Sequence, residues 1–464
     1  MAENLVKSLA RRAGRAADGV AGVFENSVRL GVTGLSRAGK TVFITSLVSN
    51  LMDRGRMAGF VPANAITAAY LQPQPDDTVP RFNYETHLAA LTGADPFWPE
   101  STSAVSQLRL SFRTERSGVV SGIAGPRILH LDIIDYPGEW LLDLGLMDQT
   151  YSEWSGDMHL RLSGRIGARD FIRAAQSMHD KEVFEESDAQ SLARLYTAYL
   201  QQARASGLSD CSPGRFLLPG ELAGAPVLTF APLPRPETPA RKGLWREMER
   251  RYDAYKRQVV RPFFVRHFAK IDRQVVLMDV LGVIHNGPEA IEDLRRTMAG
   301  VLSAFRPGSN RFLRQVIHGR RVDRILFAAT KADHIHHAEH DKLTAITETM
   351  LREAKDRAEF SGAKTQAVSL AALRTTVEEE HRQNGMVLPC VRGRVKDKQI
   401  AVYPGDLPDD PAQIVGHARG GASEWLHDYD GAQFDPAKIT TRAGFGLPHI
   451  RMDRAAQFLL GDKF

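Results

Sequence analysis

The β-branched run "SVRLGVTG" leads into Gly34, four residues, Gly39, Lys40 and Thr41. "KTVFITSLVSNLMDRG" follows, with apolar residues at helical spacing. A strand, a glycine-rich turn and a helix, in that order, form the setting that the phosphate-binding pattern GxxxxGK[ST] requires. Glycines let the backbone close around phosphate oxygens. The N–H groups near residues 37–41 then converge at the positive end of the helix. Gly34, Ser36, Arg37, Ala38, Gly39, Lys40, Thr41 and Val42 are therefore the expected nucleotide contacts. Lys40 is expected to reach the β- and γ-phosphates, and the Thr41 hydroxyl to bind magnesium.

Two later segments extend this reading. In "LDIIDYPGE", Asp135 ends an apolar strand and Gly138 follows three residues on. A carboxylate there can hold magnesium through water, and the Gly138 N–H can sense the γ-phosphate. In "ILFAATKAD", Lys331 and Asp333 end another apolar strand. This resembles the NKxD motif of GTPases, with Thr330 in place of Asn. Asp333 would accept the two N–H groups on guanine's edge, a pairing adenine cannot offer, and the Lys331 stem would lie against the base. DxxG alone is weak, and so is TKAD alone. Their order behind a phosphate loop gives them weight. "AVSLAAL" then offers Ser369 and Ala371 to the base, and "WPESTSAVSQLRL" offers Thr102 as a second magnesium ligand.

The catalytic candidates are Lys40, Arg37 and Glu139. Small GTPases usually place Gln after the DxxG glycine to orient the attacking water, but here the position holds Glu139. A carboxylate accepts from water yet carries negative charge towards the γ-phosphate. Glu139 is then either a poor substitute or turned away by Trp140. Arg37, inside the loop, is a cation that could compensate in cis. The competing reading is that it points to solvent or pairs with an acidic residue.

Strands alternating with helices predict an α/β fold, a GTPase-like P-loop core with a mostly parallel sheet. Besides the runs above, "AVSQLRLSFR", "RQVVLMDVLGV" and "TQAVSLAAL" read as strands, and "LQPQPDDTVPRFNYETHLAALTGADPFWPE" reads as an irregular surface segment. From Glu139 to about Ile271 the chain is mostly helical. After Thr375 it turns to short strands and Pro/Gly turns, closing on a helix in "RMDRAAQFLLGDKF". The expected divisions are an N-terminal amphipathic helix over 1–26, core over 27–138, a helical insertion over 139–271, core again over 272–375, and a C-terminal extension over 376–464. The N-terminal helix could lie on a membrane surface. Its many alanines favour packing on its own domain instead.

A length of 464 residues exceeds one ordinary core. No apolar run is long enough to span a membrane, and the start lacks an apolar signal core. Cys211 and Cys390, the only cysteines, support no disulfide framework, so a reducing cytoplasm is expected. The net charge of +5 comes from interspersed charges, so no nucleic-acid partner is expected. In "HIHHAEH", His336 and His340 would share a helix face and could bind zinc. With no Cys or HExxH beside them, a polar helix start near the base-binding loop is the better reading.

"GLSRAGKT", "DYPGEW", "GRFLLPGELAG", "VVRPFFVRHFAKIDRQVVLMDVL", "FRPG", "ATKAD" and "GLPHIRMDRAAQFLLGDK" together resemble the YcjX-like family. These are bacterial, stress-associated P-loop proteins generally regarded as GTPases, and the similarity runs over nearly the whole chain. It implies a GTPase core carrying a helical insertion and extra C-terminal structure. It also implies a cytoplasmic protein that works with a membrane-protein partner at the inner membrane. The expected function is a magnesium-dependent GTP-hydrolysing switch in a stress or envelope-related process, with GTP and GDP as substrate and product. The alternative is an ATPase or metabolic kinase that passes phosphate to a small molecule. The effector and the oligomeric state are not legible.

Overall fold

The apolar runs of the sequence pair into one sheet. The computed structural model describes residues 26–35, 37–100, 104–115, 127–303, 322–360, 362–383, 385–396, 398–420 and 431–464. Among them, seven strands lie in the order β2-β3-β4-β1-β5-β6-β7. They are β1 (Ser27–Gly34), β2 (Ile66–Gln72), β3 (Ser106–Thr114), β4 (Arg127–Asp135), β5 (Arg273–Met278), β6 (Arg324–Ala329) and β7 (Lys364–Ser369). The five from β4 to β7 across the sheet are parallel, and β2 and β3 add an antiparallel edge. From β1 the chain runs to the far edge and returns through β3 and β4. It then crosses to β5, on the other side of β1. Ligands bind at such reversals, outside the carboxyl ends of the strands. Here those ends carry Gly34, Asp135, Met278 and Ala329.

The parallel strands are apolar throughout because both faces are covered. Every residue of β5 is buried. Val275 and Leu277 join one core with Phe43, Ile44 and Leu47 of helix α1 (Lys40–Met52) and with Met452, Ala455 and Leu459 of the last helix. Val276 and Met278 join the other core, shared with the helices between β4 and β5. Those helices include Tyr151–Leu162, Arg169–Met178, Glu186–Ala205 and Leu244–Tyr255. Trp154 stacks on Tyr252 there, with centroids 5.0 Å apart and planes at 19°. The chain's end is tied back to the sheet, since buried Arg273 donates to Leu459 O (3.1 Å) and Asp462 Oδ2 (2.8 Å).

Two elements differ from the sequence reading, and the first is the edge strand β2, which was not foreseen. The stretch expected to be irregular contains helix α2 (Tyr84–Thr92). Only Tyr84, Ala90 and Leu91 of α2 are buried, too few for an apolar stripe to stand out. Leu91 packs against Leu373 and Leu447, from loops distant in sequence. The expected N-terminal helix lies outside the described residues. No described helix is long and apolar enough to cross a membrane.

Candidate nucleotide-binding site

β1 delivers Gly34 to the crevice, and the chain then turns sharply. The Ala38 N–H donates to Leu35 O (3.1 Å), and Arg37 (φ 65°) and Gly39 (φ 74°) adopt left-handed conformations. Glycine takes that conformation at little cost, while arginine rarely does. Gly39 is the N-cap of α1, and no side chain caps the helix. Its first-turn N–H groups and dipole are therefore available to an anion. A Cβ on Gly34 would press on Leu277 and Ala38 at 3.1 and 3.2 Å. A Cβ on Gly138 would lie 2.0 Å from the Gly34 carbonyl oxygen. The DxxG turn thus rests on the phosphate loop at a contact only glycine permits.

Lys40 Nζ pairs with Asp135 Oδ1. Asp135 is buried, and its Oδ2 has no hydrogen-bond partner. An unsatisfied buried carboxylate oxygen is costly, and a cation would satisfy it. With the Thr41 hydroxyl it supplies hard oxygen donors of the kind magnesium takes.

A cavity of about 310 Å³ runs from this loop past Pro137, Glu139 and Arg204 to Thr330, Lys331, Asp333, Ala371 and Thr375. Asp333 is buried at its far end. Its Oδ2 accepts from both the Thr375 N–H and the Thr375 hydroxyl (2.8 Å each), which leaves Oδ1 for another donor. The Thr330 N–H and hydroxyl both donate to Met278 O (2.9 and 3.2 Å), tying β6 to β5. Lys331 (φ 61°) pairs with Asp279, just past β5. Trp98 and Phe434 line the same end. The Phe434 ring meets His334 edge-on at 5.1 Å, and burial pushes the His334 pKa down.

The model of the YcjX-like family, DUF463, matches residues 28–464. The chain belongs to the YcjX-like family. It is similar to the Ras-like GTPase YcjX of Escherichia coli (strain K12), 34% identical over 95% of this chain and 96% of that protein. The Ras-like GTPase YcjX of Shewanella oneidensis is 31% identical over 95% of both.

In this YcjX-like chain the cavity brings together Gly34, Arg37, Ala38, Gly39, Lys40, Thr41, Val42, Glu139, Thr330, Lys331, Asp333 and Ala371. The Ala371 N–H is already committed to Ile450 O (3.2 Å). Ser369 lies off the cavity wall. It is buried, donates to His340 O (2.8 Å) and accepts from Thr344 and Arg451. Ser36 and Thr102 lie outside the described residues. Glu139 is not turned away by Trp140. It meets Arg204 Nη2 through Oε1 at 2.8 Å, while Trp140 packs under the Arg215 guanidinium. Thr375, Arg204 and Asp279 escaped the sequence reading. Asp279 follows an apolar strand, as Asp135 ends one, and was findable on that ground. Arg204 is one of many charges on a long helix and carried no signal.

His340, half of the candidate zinc pair, is engaged elsewhere. His340 is buried and donates through Nε2 to Ala332 O (2.8 Å). His336, His337 and Glu378 bring ligand atoms within 4.8 Å of one another. However, His336 Nδ1 accepts from the Ala338 N–H (3.3 Å).

Proposed function

We propose that this YcjX-like protein binds guanine nucleotide in the cavity, hydrolyses GTP with magnesium and acts as a nucleotide-dependent switch. The observation that carries the reading is the pairing of two ends in one cavity. At one end is an uncapped helix start with Lys40, and at the other is Asp333, buried and held by Thr375. The first suits a phosphate chain. The second suits a base that offers donors, which guanine does on its Watson–Crick edge and adenine does not in the same pattern.

In this reading the first-turn N–H groups and Lys40 hold the β- and γ-phosphates. Thr41 and Asp135, with Thr102, would hold magnesium, which supplies neutralising charge to the phosphates. Lys331 already has a partner in Asp279 and Arg37 sits on the loop's rim. The hydrolytic role falls first on Lys40 and on Glu139, beside the loop. The relatives' name, Ras-like GTPase, supports the same activity. A role in a stress or envelope process, through a partner at the inner membrane, extends the proposal. So do a helical insertion over 139–271 and an extension over 376–464.

Lys40→Ala tests the phosphate end. Magnesium-dependent phosphate release should be abolished, and GTP should bind at least about tenfold more weakly, with a melting curve like the parent's. An unchanged turnover number in a folded variant would rule out this site.

A further inference from the structure

Glu139 is fixed from three sides. Its predecessor Gly138 rests on the phosphate loop. Its carbonyl oxygen touches Gly214, where a Cβ would come within 2.0 Å. Its carboxylate meets Arg204, near the C-terminal end of helix α3 (Glu186–Ala205). Glu139 and Arg204 both line the nucleotide cavity beside the loop, and their side chains are 9% and 28% exposed. A lone carboxylate there would repel a triphosphate across a poorly solvated gap. A carboxylate paired with a guanidinium does not.

We infer that Arg204 is a positioning residue for GTP hydrolysis: it neutralises Glu139 and holds its carboxylate where it can accept a hydrogen bond from the attacking water. The inference rests on the GTPase reading above and deepens it, because it makes the helices between β4 and β5 part of the hydrolytic site. In the step served, the water oxygen bonds to the γ-phosphorus as that phosphorus parts from the β–γ bridging oxygen. The bridging oxygen leaves with the electron pair on GDP. The water protons pass to inorganic phosphate and solvent. Arg204 touches neither reacting atom. It acts through Glu139, which supplies the acceptor.

The test is a double-mutant cycle read by single-turnover GTP hydrolysis on the full chain, with GTP affinity and melting measured alongside. Arg204→Ala should slow hydrolysis at saturating GTP by at least about tenfold, and it should weaken GTP binding more than GDP binding, because the unpaired Glu139 carboxylate then faces the γ-phosphate. Arg204→Gln, which keeps much of the side chain's reach, should lose as much and guards against a folding defect. Arg204→Lys keeps the charge and should retain at least about a third of the rate. In a Glu139→Gln background no charge needs neutralising, so adding Arg204→Ala should cost less than about threefold. An equal loss in both backgrounds would overturn the inference, since Arg204 would then act on the nucleotide itself. Full activity of Arg204→Ala and Arg204→Gln would overturn it too. Failure of the parent to bind GTP is a different result. It refutes the GTPase reading, and the inference with it.

Discussion

Asp333 spends one carboxylate oxygen on Thr375 and keeps the other for the cavity. Ordering the carboxylate before a base arrives lowers the cost of binding. Asp333→Ala would remove an acceptor for guanine donors, and hydrogen bonds to charged groups contribute about 1.5–3 kcal/mol each. GTP affinity should fall at least about tenfold in a fluorescent-nucleotide titration. Unchanged affinity would place the base elsewhere. The residues that could be read directly were those whose chemistry is local in sequence. Gly34, Gly39 and Lys40 sit in one turn, and Asp333 ends one strand. Ser369, offered to the base, was a guess by spacing from a motif and lies buried off the cavity wall, while the hydroxyl that reaches Asp333 belongs to Thr375, past the loop that follows β7. Spacing cannot choose between two hydroxyls when the loop between them folds irregularly.

Among the elements, the turn after β4 does more than connect. Asp143, in the short helical stretch after Glu139, is buried among the helices between β4 and β5, accepting from the Gly214 N–H (2.8 Å) and the Tyr255 hydroxyl (2.6 Å). Burial raises its pKa to about 7 against the pull of those two donors. The unfolded chain releases this proton at about pH 4. Between about pH 4 and pH 7 the folded chain therefore holds a proton that the unfolded chain has lost, and stability falls as pH rises through that window. Asp143→Asn should flatten this part of the melting-temperature profile, and an unchanged slope would refute the assignment. The five parallel strands were legible because strands covered on both faces read as apolar runs, whereas the partly exposed edge strand β2 was not read. Helix α2 was not, because its packing partners, Leu373 and Leu447, lie far along the chain. The ion pair between Glu139 and Arg204 was illegible for the same reason. The guanidinium that pairs with Glu139 comes from a helix on another part of the chain.

At the scale of the whole molecule, the seven-stranded sheet carries two cores, and the crevice at its strand reversal collects residues from nearly the entire chain. In the proposed site the phosphate end comes from residues near 34–42, the ion pair beside it from Glu139 and Arg204, and the base end from residues near 330 and 371–375. Gln433 and Phe434 close the wall. Nucleotide identity is therefore a property of the assembled fold, and choosing guanine is the central claim made for it. The most direct measurement is a competition titration of the full chain with magnesium, in which unlabelled GTP, GDP and ATP displace a fluorescent guanine nucleotide. The account predicts that GTP and GDP displace the probe at least about tenfold more tightly than ATP. Displacement by ATP at the same concentration as GTP would contradict it and would turn the reading towards an ATPase or a kinase.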